Sequence, residues 1–469
     1  FHVSVFYGRI PHMKKRRNTA AVRTVQPGLF DNKKLAALLI PLALDQLLNS
    51  FMGTVDTLVV SNLGSAAISA VSLVDSINVL VVQAFFALAS GGTVICSHYL
   101  GCKKENHARE AARQLVFITF ILSLIIAGVC LVLNRPILKL IFGDVEAAVM
   151  KNARIYFFFS AVSYPFIALY DDGSSILRAQ ENSRLPMLIS VWANVLNLVL
   201  NLVFVWVFHW GVAGSASATM LARIFSMAVV TYKLRNPGLE IPLRNYFSIR
   251  PDWKEIKRIL HIGIPSGVEN SMFQFGKLAI QSTVSLMGTA AIAAQGMTNI
   301  IENLNGILAM GVGVGLMTVV GESLGAGRRE EAVYYIKKLC IISEIIVAAS
   351  CLVMYALVRP ITHFGGMEPV SAKMCIFMVT WITIVKPLVW VMAFIPAYGL
   401  RAAGDVKFSM TVSVLSMWLC RVTLAMILAR VFHMGPMAVW IGMFTDWTIR
   451  CVIFTIRFKN RKWLNHQVI

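Results

Sequence analysis

Charged residues are scarce in this chain of 469 residues: Asp, Glu, Lys and Arg make up 14% of it, whereas 57% is hydrophobic. A soluble domain has about 25% charged residues, so the composition excludes a soluble protein. Clustered metal ligands are also missing, because the eight cysteines show no CxxC spacing and the nine histidines are scattered. With no nucleotide-binding loop or catalytic triad either, we expect neither an enzyme nor a bound cofactor.

The hydrophobic residues are grouped into long runs. From Leu35 onward, twelve runs are long enough to cross a bilayer, which requires about 20 apolar residues. They cover 35–61, 67–98, 108–133, 146–171, 185–208, 212–234, 257–286, 290–322, 332–358, 371–399, 408–431 and 436–457. We predict an all-α membrane protein with twelve transmembrane helices in two pseudo-symmetric six-helix lobes.

A segment rich in Pro and Arg separates the sixth run from the seventh. The predicted organisation is a basic amino-terminal tail (1–34), a lobe of helices 1–6 (35–234), a linker (235–256), a lobe of helices 7–12 (257–457) and a carboxy-terminal tail (458–469). The first apolar run is too long for a signal peptide. The first methionine is Met13, so residues 1–12 are interpreted either as a fragment end or as sequence upstream of the start.

Basic residues outnumber acidic ones by 43 to 23, and their placement is uneven. With helix ends counted, 31 of the 43 lie in the tails and in the connections after even-numbered helices, and seven lie in the connections after odd-numbered helices. The positive-inside rule then predicts a multi-pass protein of the cell membrane with both termini in the cytoplasm. This placement explains most of the charge, so we expect membrane lipids and not nucleic acid as partners, and we expect a monomer.

The two halves of the chain repeat each other. A shift of about 224 residues aligns matching residues over some 200 positions, which shared hydrophobicity does not explain. The aligned pairs are Pro41 with Pro265, Gly64 with Gly288, Gly101 with Gly325 and Leu177-Arg178-Ala179 with Leu400-Arg401-Ala402. Transporters often have such repeats, with the substrate site between them. The alternative is a duplication in a channel or a membrane enzyme.

Several polar residues lie inside the predicted helices, where an ionisable group is costly and is a functional candidate by default. In helix 1, Asp45, Asn49 and Asp56 fall within about 40° of one another around the helix axis. In helix 5, Asn197 and Asn201 share a face. Such oxygen atoms suit a proton or a small hard cation. The alternative is that they form hydrogen bonds between helices.

The second half has its own polar residues. Glu269 occupies the repeat position of Asp45, so we expect the two acids to face each other across a central cavity. The other candidates for this cavity on helices 7 and 8 are Gln274, Lys277, Asn299 and Glu302. Acids among aromatic and Met side chains suit a lipophilic organic cation. For Lys277 and Lys386, pairing with a nearby acid and contact with substrate are both compatible with the sequence.

Short motifs at repeat spacing resemble those of the multidrug and toxic compound extrusion (MATE) transporters. These are Val55-Asp56-Thr57, Asn62-Leu63-Gly64, Leu177-Arg178-Ala179, Leu260-His-Ile-Gly-Ile-Pro265, Gly321-Glu-Ser-Leu-Gly-Ala-Gly327 and Leu400-Arg-Ala-Ala-Gly-Asp405. The match spans about residues 35–458. The resemblance implies two lobes in a V shape that export organic cations or other xenobiotics in exchange for protons or sodium.

The resemblance also implies roles for individual residues. Asp56 matches the coupling aspartate of helix 1, and sodium is the one metal ion expected to bind there. Pro41 matches the proline associated with bending, and Pro265 is its partner in the repeat. The residues at other polar positions of that pocket are Asn49, Asn197 and Thr219. Asn201 stands where many members have an Asp. Phe273 and Trp390 stand where other branches have a carboxy-lobe acid.

These features predict an antiporter driven by a proton or sodium gradient that exports organic cations by alternating access between its lobes. We expect coupling through Asp56, with Asp45 and Glu269 as acids of the substrate cavity. Two alternatives remain. One is a flippase for a lipid-linked precursor, which belongs to the same superfamily and should line its cavity with cations. The other is a passive channel.

Overall fold

The computed structural model describes residues 28–61, 63–143, 146–243 and 250–469. For residues 51–58, 60 and 61 it describes the backbone and not the side chains. Twelve long helices run through these residues. They are α1 (Asn32–Ser61), α2 (Ser65–Gly101), α3 (Glu105–Val132), α4 (Ala147–Ala179), α5 (Arg184–Val207), α6 (Gly211–Leu234), α7 (Trp253–Ser285), α8 (Thr289–Gly325), α9 (Arg329–Phe364), α10 (Pro369–Ala402), α11 (Val406–Arg430) and α12 (Met437–Lys459). A short helix, Asn134–Phe142, joins α3 to α4. The prediction of twelve helices is confirmed.

Helix ends agree with the sequence prediction to within four residues, except at the ends of α9 and α4. The predicted end of α9 was 358, and the helix continues to Phe364. The apolar run predicted a helix ending at 171, but α4 continues to Ala179. Its last two turns contain Asp171, Asp172 and Arg178 together with small residues, and all of these are buried among neighbouring helices. Charged residues of this kind lower the hydropathy of a window without ending a helix. The prediction therefore placed Asp172 in a connection, whereas it lies inside the helix.

The helices form two lobes, α1–α6 and α7–α12. In the amino-terminal lobe, α4 packs against α2, α3 and α6, and α1 packs against α5. In the carboxy-terminal lobe, α10 packs against α8, α9 and α12. The lobes meet where α2 packs against α7 and α8, and where α1 packs against α8. The same helices of each repeat thus form the interface between the lobes.

The described chain begins and ends on one side of the helices, called here the terminal face. The amide of Phe30 donates a hydrogen bond of 2.9 Å to the Tyr335 hydroxyl near the start of α9. Arg461, just after α12, forms an ion pair of 2.5 Å with Glu330 on the first turn of α9. The other side, where α1 ends and α2 begins, is called the opposite face.

Glycines let the lobes approach closely at the terminal face. A Cβ atom at Gly101 would lie 2.2 Å from the Glu322 carbonyl oxygen, and one at Gly325 would lie 2.2 Å from the His98 carbonyl oxygen. Gly101 and Gly325 are partners in the sequence repeat, so the contact is symmetric. Backbone-to-backbone contact between helices is typical of small residues in membrane proteins. The lobes are therefore in direct contact at this face.

Large apolar side chains cover much of the outer surface, as a protein surrounded by lipid requires. Exposed examples include Trp192, Phe208, Leu352 and Phe377. Ten of the twelve helices are long and apolar enough to cross a membrane by length and composition, counted over the described residues. The chain is a multi-pass membrane protein.

Candidate functional site

Amide and hydroxyl groups of α1, α5 and α6 come together inside the amino-terminal lobe. The Asn197 amide donates a hydrogen bond of 3.3 Å to Thr219 Oγ1, and Asn201 donates to Asn197. Ser190 donates a bond of 3.2 Å to Asn49 Oδ1, which joins α5 to α1. Four of the five residues predicted for ion coupling are thus placed in or beside one polar pocket. The side chain of the fifth, Asp56, lies outside the described residues.

Asp45 is buried on α1, and its Oδ1 atom has no hydrogen-bond partner in the described part of the chain. It lies near enough to Arg178 and Asp171 of α4 to interact with both electrostatically. In the other lobe, Glu269 forms an ion pair of 2.7 Å with Arg401. The sequence repeat relates Arg178 to Arg401 as well as Asp45 to Glu269. Each predicted cavity acid therefore lies beside the arginine of its own lobe, and their role in substrate binding stays a prediction.

Two acids that the sequence analysis missed lie next to each other on α4. Asp171 and Asp172 are both buried, and neither carboxylate oxygen of Asp172 has a hydrogen-bond partner among the described residues. Thr119 of α3 lies close to Asp172. The signal was present as adjacent Asp residues followed by Arg178. It was overlooked because the hydrophobic run ended at the first of them.

The two lobes differ in whether their acids form ion pairs. Among the described side chains, the buried Asp45, Asp171 and Asp172 and the half-buried Asp75 of the amino-terminal lobe have no cation within 4.0 Å. The two arginines that interact electrostatically with these acids bind neutral groups instead. Arg223 donates a bond of 2.6 Å to Ser163, and Arg178 donates one of 3.1 Å to a backbone carbonyl. The amino-terminal lobe therefore has buried carboxylates free of ion pairs.

In the carboxy-terminal lobe, three buried acids have a basic partner at 2.7 Å. The pairs are Glu269 with Arg401, Glu302 with Lys386, and Asp446 with Arg450. For Lys386 the structure thus favours the pairing with an acid over direct substrate contact. The predicted cavity residue Asn299 accepts a bond of 3.2 Å from Gln295, which itself accepts one of 3.0 Å from Trp440. Asn299 therefore bonds within α8 to Gln295, and Gln295 links that helix to α12.

A groove opens between the lobes toward the opposite face. It encloses about 360 Å³ between the first turns of α2 and the last turns of α7. Asp75 lines it from one lobe, and Gln274 and Lys277 line it from the other. Of the predicted cavity residues, Gln274 and Lys277 thus reach the space between the lobes. Glu269 lines a smaller cavity of about 100 Å³ within its own lobe.

Both prolines predicted as bend sites lie inside continuous helices. Pro41 is within α1 and Pro265 within α7, each in the half nearer the terminal face. A proline inside a helix removes one backbone hydrogen bond and weakens the helix at that point. The two positions fit a hinge in each lobe, and bending there stays a prediction.

The family model described as MatE matches this chain twice, over residues 41–203 and over residues 265–427. The two matches are offset by 224 residues at both ends, as the sequence repeat requires. The chain belongs to the MatE family. The resemblance to MATE transporters seen in its motifs is confirmed, and members of this family are transporters.

Relatives and solved structures agree with the MatE assignment. The chain is 25% identical over 447 residues to "Probable multidrug resistance protein NorM" of Thermotoga maritima, covering 93% of this chain and 94% of that protein. It is 23% identical to the protein of the same name in Acinetobacter baylyi, covering 93% and 98%. A crystal structure of MATE in complex with MaL6 superposes with a TM-score of 0.86 at 19% identity, covering 92% and 96%. The fold is that of the MatE transporters, with two six-helix lobes.

Proposed function

We propose that this MatE transporter is an ion-driven antiporter that exports organic cations and other xenobiotics. The observation that carries the proposal is the set of buried carboxylates without ion pairs in the amino-terminal lobe. A buried carboxylate without a cation is costly, and binding a proton or a small cation removes that cost. A site of this kind binds and releases ions readily when its access to water changes.

Protons are the coupling ion we favour. A sodium site needs several oxygen ligands held around one point, and Asn201 supplies an amide where many MATE transporters have a second carboxylate. We assign the coupling itself to Asp56, on the turns of α1 that follow Asn49.

Alternating access would use the interface between the lobes. The lobes are in contact at the terminal face and separated by the groove at the opposite face, so this structure fits the state open to the outside if the termini are cytoplasmic. Rocking about Pro41 and Pro265 would open the terminal face in turn. The flippase alternative is less favoured, because the amino-terminal lobe carries unpaired acids that would repel a pyrophosphate.

The test uses proteoliposomes containing a fluorescent organic cation, with a pH gradient and a sodium gradient imposed separately. We expect the pH gradient to drive transport in the unchanged protein and Asp56→Asn to transport at the rate of empty liposomes, because the amide keeps the shape and cannot ionise. Asp31→Asn is the matched control, since Asp31 is exposed at the start of α1 and an amide can still cap that helix. Undiminished transport by Asp56→Asn would exclude the assignment, and transport driven by sodium alone would exclude protons.

A further inference from the structure

A basic cluster of the carboxy-terminal lobe lies at the repeat equivalent of the polar pocket. Under the offset of 224 residues between the two family matches, Asn49 corresponds to Phe273. Asn197 falls at Cys420 or Arg421, because Leu177-Arg178-Ala179 and Leu400-Arg401-Ala402 are offset by 223. Arg421 contacts Phe273, with its guanidinium carbon 5.1 Å from the centre of the Phe273 ring.

Arg421 is buried without a partner for its charge. It is 6% exposed, and its Nε atom has no hydrogen-bond acceptor among the described residues. It lies in a π-helical turn of α11, Met417–Thr423, and such turns are frequent at functional sites. Because a guanidinium stays protonated, a buried one without an anion is costly. A bound anion would remove that cost.

The acids nearest to Arg421 already have other partners. Its electrostatic neighbours are Asp446 and Glu302. Asp446 pairs with Arg450 and accepts a hydrogen bond from Ser416, while Glu302 pairs with Lys386. Neither carboxylate is within 4.0 Å of Arg421. The cluster therefore has more cations than acids.

Lys277 adds a second cation to the same ring. Its ammonium lies 4.9 Å from the centre of Phe273, so Lys277 and Arg421 are at most about 10 Å apart. No acid in the described part of the chain lies within 4.0 Å of Lys277. Lys277 also lines the groove between the lobes. A molecule in the groove would thus meet Lys277, with Arg421 within about 10 Å of it across the shared contact with Phe273.

We infer that Arg421 and Lys277 form a subsite that binds an anionic group, a carboxylate or a phosphate, of the transported compound. The inference rests on the proposed export function and refines its substrate class. A compound that carries both a cationic amine and an acid would place the acid at Arg421 and Lys277, and Asp75 on the facing wall of the groove would attract the amine. Zwitterionic compounds are therefore preferred over simple cations.

The test compares two dyes that differ in one charge: a rhodamine with a free carboxylate and the methyl ester of the same dye. Equilibrium binding to the detergent-solubilised protein is measured by fluorescence anisotropy, which needs no ion gradient. We expect the acid to bind about tenfold more tightly than the ester, since a charge-assisted hydrogen bond contributes that much. Equal affinity for the two dyes would overturn the inference.

Variants locate the source of the preference. Lys277→Gln and Arg421→Gln are each expected to remove the preference for the acid over the ester. Arg421→Lys should keep part of the preference for the acid. The control Arg430→Gln removes an exposed charge from the same helix and should keep all of that preference. Lys277 faces the groove, so its variant remains informative if Arg421→Gln does not fold. A preference that persists in Lys277→Gln and in every folded Arg421 variant would overturn the inference.

Two further outcomes separate this inference from the proposed function. Replacing chloride by gluconate tests whether a free inorganic anion occupies the subsite. If chloride changes the affinity for both dyes equally, and Arg421→Gln abolishes this effect of chloride, then the subsite binds an inorganic anion. The assignment of the subsite to the substrate would then be wrong.

In proteoliposomes, gradient-driven transport of the ester without preference for the acid would contradict the inference alone. Preferential binding of the acid without gradient-driven transport of either dye would contradict only the proposed function.

Discussion

Replacing Lys386 with Met is expected to destabilise the protein by about 3–5 kcal/mol, because it leaves a buried charge without its partner. Lys386 is fully buried, and its ammonium lies 2.7 Å from both a carboxylate oxygen and the backbone carbonyl of Glu302. Met keeps most of the side-chain volume, so lost packing contributes little. The unfolding free energy in mixed micelles, compared with that of the unchanged protein, measures the effect.

The double variant Lys386→Met with Glu302→Gln separates lost charge balance from lost shape. Because it removes both charges, we expect it to recover most of the stability lost in the single variant. Lys373→Met removes an exposed lysine from the same helix and should change stability by less than about 0.5 kcal/mol. A single variant as stable as the unchanged protein would show that Lys386 does not neutralise Glu302.

Gly325→Ala is expected to separate the lobes at the terminal face. The added Cβ would lie 2.2 Å from the His98 carbonyl oxygen, and a backbone atom cannot move aside as a flexible side chain does. Overpacking of this kind costs about 1–3 kcal/mol, which shifts the protein toward states in which this face is open. Transport should fall because the lobes no longer close here.

Cys102 reports on this opening, because its thiol donates a hydrogen bond of 2.9 Å to the Gly325 carbonyl oxygen. We expect a membrane-impermeant thiol reagent, with the modified residue identified by mass spectrometry, to label Cys102 faster in Gly325→Ala. Gly128→Ala is the control, since a Cβ there meets no other atom within 4 Å. Slower or unchanged labelling of Cys102 in Gly325→Ala would contradict the closed contact described for this face.

The fold could be predicted from the sequence to a large extent. Hydrophobic runs predicted the twelve helices because composition directly reveals segments in contact with lipid, and the internal repeat divided those helices into two lobes. The prediction was wrong in detail at the end of α4, where Asp171 and Asp172 continue a helix buried in protein. A hydropathy window identifies helical segments that face lipid. It therefore misses a segment whose polar residues face other helices.

The candidate site was less predictable. The stripe of Asn197 and Asn201 could be read from helical spacing, and the structure joins Asn197 to Thr219 and Asn201 to Asn197. The pairing of Glu302 with Lys386 and the isolation of Arg421 depend on which helices pack together, and residue spacing within one helix does not contain that information.

Proton exchange by the buried carboxylates of the amino-terminal lobe is tested most directly by following protons while substrate moves. In weakly buffered proteoliposomes without an imposed ion gradient, a gradient of a fluorescent organic cation is applied and the internal pH is recorded with a trapped indicator. Our account predicts proton movement opposite to the cation, abolished in Asp56→Asn and retained in Asp31→Asn. Movement of the cation with no change in internal pH, or equal proton movement in Asp56→Asn, would contradict it.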